Sequence, residues 1–113
     1  MPFIQTKTNV SLSADQKESL QQALGKAIAI IPGKSEQWLM LSFDDQVPMA
    51  FAGTNDPCAM VQVLVYGNPN PDAYSSLTEE ITSVLHHTLN IDPARIYVAY
   101  QETHNWGWNG GNF

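Results

Sequence analysis

The sequence predicts one α/β domain (α+β in some schemes) over residues 1–113, built from a duplicated β-α-β unit. Two helices then cover one face of a four-stranded mixed sheet. Three observations predict this. Four short apolar runs read as strands, two longer stretches place apolar residues at helical spacing, and the second half repeats the order of the first. The two pseudo-repeats run over about 2–57 and 58–113.

Residues 3–10 (FIQTKTNV) give the first strand. Ser13-Ala14-Asp15-Gln16 follows as a capping box, in which a serine oxygen and a glutamine side chain satisfy free backbone N–H groups at a helix start. Leu20, Leu24, Ala27, Ile28 and Ile31 form one apolar stripe, and Pro32-Gly33 ends it. Residues 38–43 (WLMLSF) read as the next strand, and residues 48–52 (PMAFA) as a short extra one. Residues 59–66 (AMVQVLVY) are nearly all apolar, as in a strand covered on both faces. A turn-rich loop spans Gly67 to Pro71. Leu77, Ile81, Val84 and Leu85 then lie 57 positions after Leu20, Leu24, Ala27 and Ile28. Thr88 falls opposite Ile31, and Leu89 finishes that stripe instead. Asp92-Pro93 breaks the second helix before the strand at 96–100 (IYVAY). Helices of this length join parallel strands by right-handed crossovers. Both stripes pack on one sheet face, so the opposite face needs a second layer from elsewhere. A second copy of the chain is the obvious source.

Five basic residues stand against eleven acidic ones, for a net charge of -6. Nucleic acid and anionic membrane surfaces both call for a basic patch, so neither is an expected partner. No charged-then-apolar leader and no membrane-length apolar run is visible. Cys58 is the only cysteine and has no partner for an internal disulfide, so cytoplasmic residence is expected. Asn9-Val10-Ser11 is a glycosylation sequon without the leader that would give it meaning.

No nucleophile elbow, phosphate-binding glycine loop or C-x-x-C motif is present. His86 and His87 point about 100° apart on a helix, and His104 is isolated, so no metal and no other cofactor is expected. Lys34 follows the first helix, where the helix dipole alone accounts for a cation; the alternative is a carboxylate seat. Trp106, Trp108 and Phe113 place three aromatic rings within eight residues. They either seal a core edge or wall a pocket for a planar ligand. Met1-Pro2 is a common start, and by itself it sets no function. Met1 removal would nevertheless leave Pro2 as a secondary amine on a stiff ring, and a free α-amino group titrates near pH ~7.7–8.0.

Taken in order along the chain, these residues resemble the macrophage migration inhibitory factor family of the tautomerase superfamily. The matching set is Met1-Pro2, Thr8-Asn9-Val10, Gly33-Lys34, Met49-Ala50-Phe51 with Gly53, Asp56-Pro57-Cys58-Ala59, Ile96-Tyr97, and Gly107-Trp108-Asn109 before Phe113. The resemblance implies a homotrimer whose three sheets surround an axis, with the helices outside. It implies keto–enol tautomerisation of a small aromatic α-keto acid, with Pro2 as general acid/base. Lys34 and the backbone N–H of Tyr66 would hold the substrate carboxylate. Trp106, Trp108 and Phe113 would line the aromatic end, with Trp38 beside them and Tyr97 arriving from a neighbouring subunit. This chain has Trp38 where many members carry tyrosine, Ala99 where asparagine is usual, and Tyr66 where isoleucine is usual. Val61 replaces the second cysteine of the animal C-x-x-C, and Leu12 replaces a basic residue linked to receptor binding. Three alternatives remain. They are a cytokine-like protein released without a signal peptide to act on a cell-surface receptor, a trimeric binding module for aromatic acids, and hydration or dehalogenation chemistry. The last resembles arginine-rich sites, and Arg95 is the only arginine here.

Overall fold

The computed structural model describes residues 1–113. Strand β1 (Pro2–Thr8) alternates cleanly: Pro2, Ile4, Thr6 and Thr8 are buried, while Phe3, Gln5 and Lys7 face the other side. The strand stops at Thr8 rather than running to Val10, because Asn9 turns its side chain into the structure. Its amide donates to the carbonyls of Asn55 and Asp56, and its oxygen accepts the Cys58 N–H at 3.0 Å. The sequon asparagine is thus a staple between distant loops.

Helix α1 (Ala14–Ala27) begins at the expected capping box, with Ser13 Oγ accepting the Gln16 N–H at 3.1 Å and Gln16 returning the bond at 2.9 Å. A 3-10 turn at Ile28–Ile30 tightens its end, and Gly33, at φ 83°, completes the reversal before Lys34. Strand β2 (Met40–Asp44) starts two residues later than expected. Trp38 belongs instead to a 3-10 turn, Glu36–Trp38, and the N–H groups of Trp38 and Leu39 bond back to Ser35 and Glu36. Those donors are spent on the turn, so the ladder with β1 opens at Phe3 opposite Met40. Residues 48–52 form no strand; Phe51 and Thr54 close a tight turn on themselves through two backbone bonds.

Strand β3 (Ala59–Tyr66), helix α2 (Pro71–Leu89) and strand β4 (Ile96–Thr103) make the second unit. Asn70 caps α2 with Pro71 in its first turn, and Asn90 ends it in the left-handed conformation. The helix therefore stops before Asp92-Pro93. His86 sits in its last turn and bonds the Ile91 carbonyl at 2.9 Å. The sheet order is β2-β1-β3-β4; the outer pairs are parallel and the central β1–β3 pair antiparallel. Ile4, Val61, Val63 and Val65 pack under Leu20, Leu24, Ile28, Leu77, Ile81 and Leu85, with Leu89 closing the end. Val84 only flanks this core.

Strand β3 is covered on one face, not both. Met60, Gln62, Leu64 and Tyr66 lie on the side away from the helices, with Gln62 exposed. On β4, Tyr97, Ala99 and Gln101 share that open face. Tyr74 on α2 stacks on Tyr100 at 4.2 Å, and Tyr100 donates its hydroxyl to the Tyr74 carbonyl. The Tyr74 hydroxyl itself is buried without a partner. Burial, with Glu102 close by, pushes that phenol up to about 12.

Candidate active site

At the N-terminal end of β1 lies a cleft of about 340 Å³. Its walls come from three places: Met1 to Phe3, the turn Gln37 to Met40, and Trp106 to Trp108. The third wall is a hairpin of strands β5 (Gly107–Trp108) and β6 (Gly111–Asn112). Asn109 (φ 51°) and Gly110 (φ 85°) turn it, as an Asn-Gly pair does between two-residue arms. Phe113 donates its N–H to the Trp106 carbonyl at 3.0 Å and so extends the hairpin to the last residue. Two aromatic edge contacts fix the hairpin to the body. Trp108 meets Trp38 with ring centroids 5.2 Å apart, and Phe113 meets Tyr66 at 5.4 Å. These rings stay partly open: Trp38, Trp108 and Phe113 are 40%, 51% and 57% exposed. An aromatic wall left half in water is a surface that a planar ligand can cover.

Lys34 reaches the same end of the sheet. Its ammonium donates to the Tyr66 carbonyl at 2.7 Å, so its partner is a neutral carbonyl and its charge is free for an anion. The Met1 amine stands beside it. Burial, then the charge of Lys34, hold that amine below its ordinary value of 8.0. The Tyr66 N–H is occupied: it donates to the Met1 carbonyl at 3.0 Å. With Met1 attached, the Pro2 nitrogen is a tertiary amide with no basic lone pair. Met1 therefore covers two groups together, the Pro2 nitrogen and the Tyr66 N–H.

Of the eight residues singled out in the sequence, Pro2, Trp38, Trp106 and Trp108 line this cleft, while Lys34, Tyr66 and Phe113 adjoin it through Met1 and the hairpin. Tyr97 does neither. It pairs with Met60 at the far end of the sheet, 59% exposed, with its ring edge against Phe51. Phe3, Gln37, Leu39 and Met40 also line the cleft, and the sequence reading passed over them. Treating residues 38–43 as strand hid the turn that brings Gln37 inward. No three His, Cys, Asp or Glu side chains converge where they could hold a metal ion.

The macrophage migration inhibitory factor family model matches residues 1–113, the whole chain. The chain belongs to the macrophage migration inhibitory factor family. That family is part of the tautomerase superfamily, in which oligomers are common. Mouse macrophage migration inhibitory factor is 30% identical over 115 residues, covering 100% of this chain and 99% of its own. The homologue from the nematode Brugia malayi is 26% identical at the same coverage. Among solved structures, Leishmania major MIF2 superposes with a TM-score of 0.94 at 36% identity, covering 100% of this chain and 97% of its own. The homologue from Prochlorococcus marinus gives 0.88 at 29%, covering 98% of each. No helix in the structure is long and apolar enough to cross a membrane.

Proposed function

We propose that this protein is a keto–enol tautomerase for small aromatic α-keto acids, of the phenylpyruvate tautomerase kind, with Pro2 as general acid/base once Met1 is removed. One observation carries the reading. The Met1 carbonyl oxygen accepts the Tyr66 N–H, and the Met1 amine stands against the Lys34 ammonium. A donor N–H and a free cation side by side suit a carboxylate. Loss of Met1 vacates both and turns the Pro2 amide into a secondary amine at the cleft.

The chemistry follows from charge and proton accounting. The substrate carboxylate is held by Lys34 and the Tyr66 N–H, and its aryl ring lies along Trp38, Trp106, Trp108 and Phe113. Neutral Pro2 takes a proton from the carbon next to the ketone. The C–H electron pair becomes the C=C bond, the C=O π pair moves to the ketone oxygen, and that oxygen takes a proton from water to give the enol; the reverse path restores the ketone. An unperturbed α-amino group is only about one-tenth neutral at pH 7. Burial and Lys34 lower the Met1 amine at this position, and the same two causes would act on Pro2. Any such lowering raises the neutral fraction that can take a proton at pH 7.

The open sheet face supports assembly as a homotrimer, which would cover it and bring Tyr97 of one subunit toward the cleft of another. Leu12 bears on the cytokine-like alternative. It is 7% exposed, and its N–H bonds the Asp45 carboxylate at 2.9 Å, so this position offers a receptor no side chain. A Pro2→Gly variant tested for receptor signalling separates the two readings. Signalling kept in full with turnover abolished would favour the cytokine; turnover lost with no signalling in either form supports the enzyme.

A further inference from the structure

Arg95 belongs to the 3-10 turn Pro93–Arg95 that feeds β4, two residues before Tyr97. Its guanidinium touches no carboxylate. Instead it gathers the carbonyls of one loop: Nε donates to Pro57 at 3.0 Å, Nη1 to Phe51 at 3.1 Å, and Nη2 to Asp56 at 3.1 Å and Thr54 at 3.4 Å. The same group lies 5.2 Å from the Phe51 ring centre, and the Phe51 ring meets Tyr97 edge-on at 4.9 Å and 82°. The Phe51–Thr54 turn is already closed by its own backbone bonds, with Ala52 and Gly53 both at positive φ. Phe51 is therefore a fixed plinth. The Tyr97 ring rests on it at an open face, and its hydroxyl has no partner within the chain.

We propose that Arg95, through its carbonyl clamp on residues 51–57 and the Phe51 ring, is the positioning residue that sets Tyr97 for use in a neighbouring subunit's aryl-acid cleft. This rests on the functional reading above. A planar five-donor fork satisfies these diverging carbonyls, and the compact ammonium of lysine cannot. Losing the clamp frees Phe51 and with it the edge contact that holds the Tyr97 ring, so the aryl ligand loses a positioned ring contact, about fivefold in affinity.

The test is a double-mutant cycle of Arg95→Lys and Tyr97→Ala in full-length protein with sequenced N-termini and verified oligomeric state. Binding of cinnamate, a non-reacting aryl carboxylate, is followed by the fluorescence of the cleft indoles, and phenylpyruvate turnover is measured separately. Phe51→Leu is the second variant, should Arg95→Lys fail to fold. Each of these variants is expected to weaken cinnamate binding about fivefold when Tyr97 is present and less than about twofold when Tyr97→Ala is already in place, with kcat barely moved. Equal losses in both backgrounds, or no loss in either, overturn the inference. Pro2-dependent turnover that is indifferent to Tyr97→Ala overturns it and leaves the tautomerase standing. Coupled binding losses without any turnover sustain the clamp and defeat the tautomerase.

Discussion

Replacing Lys34 with methionine keeps most of the side-chain volume and removes the charge beside the N-terminus. Two effects follow, and they appear in different parameters. The carboxylate loses a charge-assisted hydrogen bond, worth about 1.5–3 kcal/mol, so KM for phenylpyruvate rises about 10- to 100-fold. The Pro2 amine also loses a like charge. At this end of the sheet Lys34 reaches Tyr66 at 2.7 Å and holds the neighbouring Met1 amine down, second only to burial. The sign is fixed. A cation disfavours the protonated amine and lowers its pKa, so removing Lys34 raises it. Pro2 must be neutral to take a proton, so the acid limb of kcat/KM against pH moves to higher pH. The assay is the ultraviolet-followed tautomerisation of phenylpyruvate between pH 5 and 9 on N-terminally sequenced protein. An acid limb that stays put or moves to lower pH, with KM unchanged, would refute the reasoning.

Trp38→Ala removes the ring that meets Trp108 at 5.2 Å. KM for an arylpyruvate is expected to rise about tenfold while that for pyruvate itself changes little, and equal losses for both would remove the aromatic wall from the account. Asn9→Ala strands the Cys58 N–H and two loop carbonyls, and should cost about 1–3 kcal/mol in urea unfolding. A midpoint within error of wild type would show that Asn9 staples nothing. Tyr74→Phe deletes a buried hydroxyl that has no partner, so stability should hold or rise by up to about 1 kcal/mol; a clear fall in the melting temperature would reveal a bond to Glu102.

The elements legible in the sequence were those with local causes. The Ser13–Gln16 capping box and the Leu20–Leu24–Ile28 stripe each specify a helix from within a few residues, and the structure realises both. Strand β3 was legible as a strand, but its apolar outward residues do not say what covers them. The start of β2 was not legible, because Trp38 has strand propensity yet its N–H is taken by Ser35. The sequence at 48–52 is apolar enough to read as a strand, but Phe51 pairs instead with Thr54 in a tight turn. The gathering of Lys34, Tyr66 and Phe113 depends on contacts between residues far apart in sequence, so only the family resemblance pointed to it. The Met1 carbonyl on the Tyr66 N–H had no sequence signal at all. It arises because β1 and β3 run antiparallel with Pro2 opposite Val65, which carries the residue before Pro2 alongside Tyr66.

The central claim is that removal of Met1 uncovers a catalytic amine. The most direct measurement compares phenylpyruvate tautomerisation by clipped wild type, by a form that retains Met1, and by clipped Pro2→Ala, each verified by N-terminal sequencing and shown to keep the wild-type assembly. Turnover is expected from the clipped wild type, with the Met1 form and Pro2→Ala both lower by at least about a hundredfold. Equal rates in all three would contradict it.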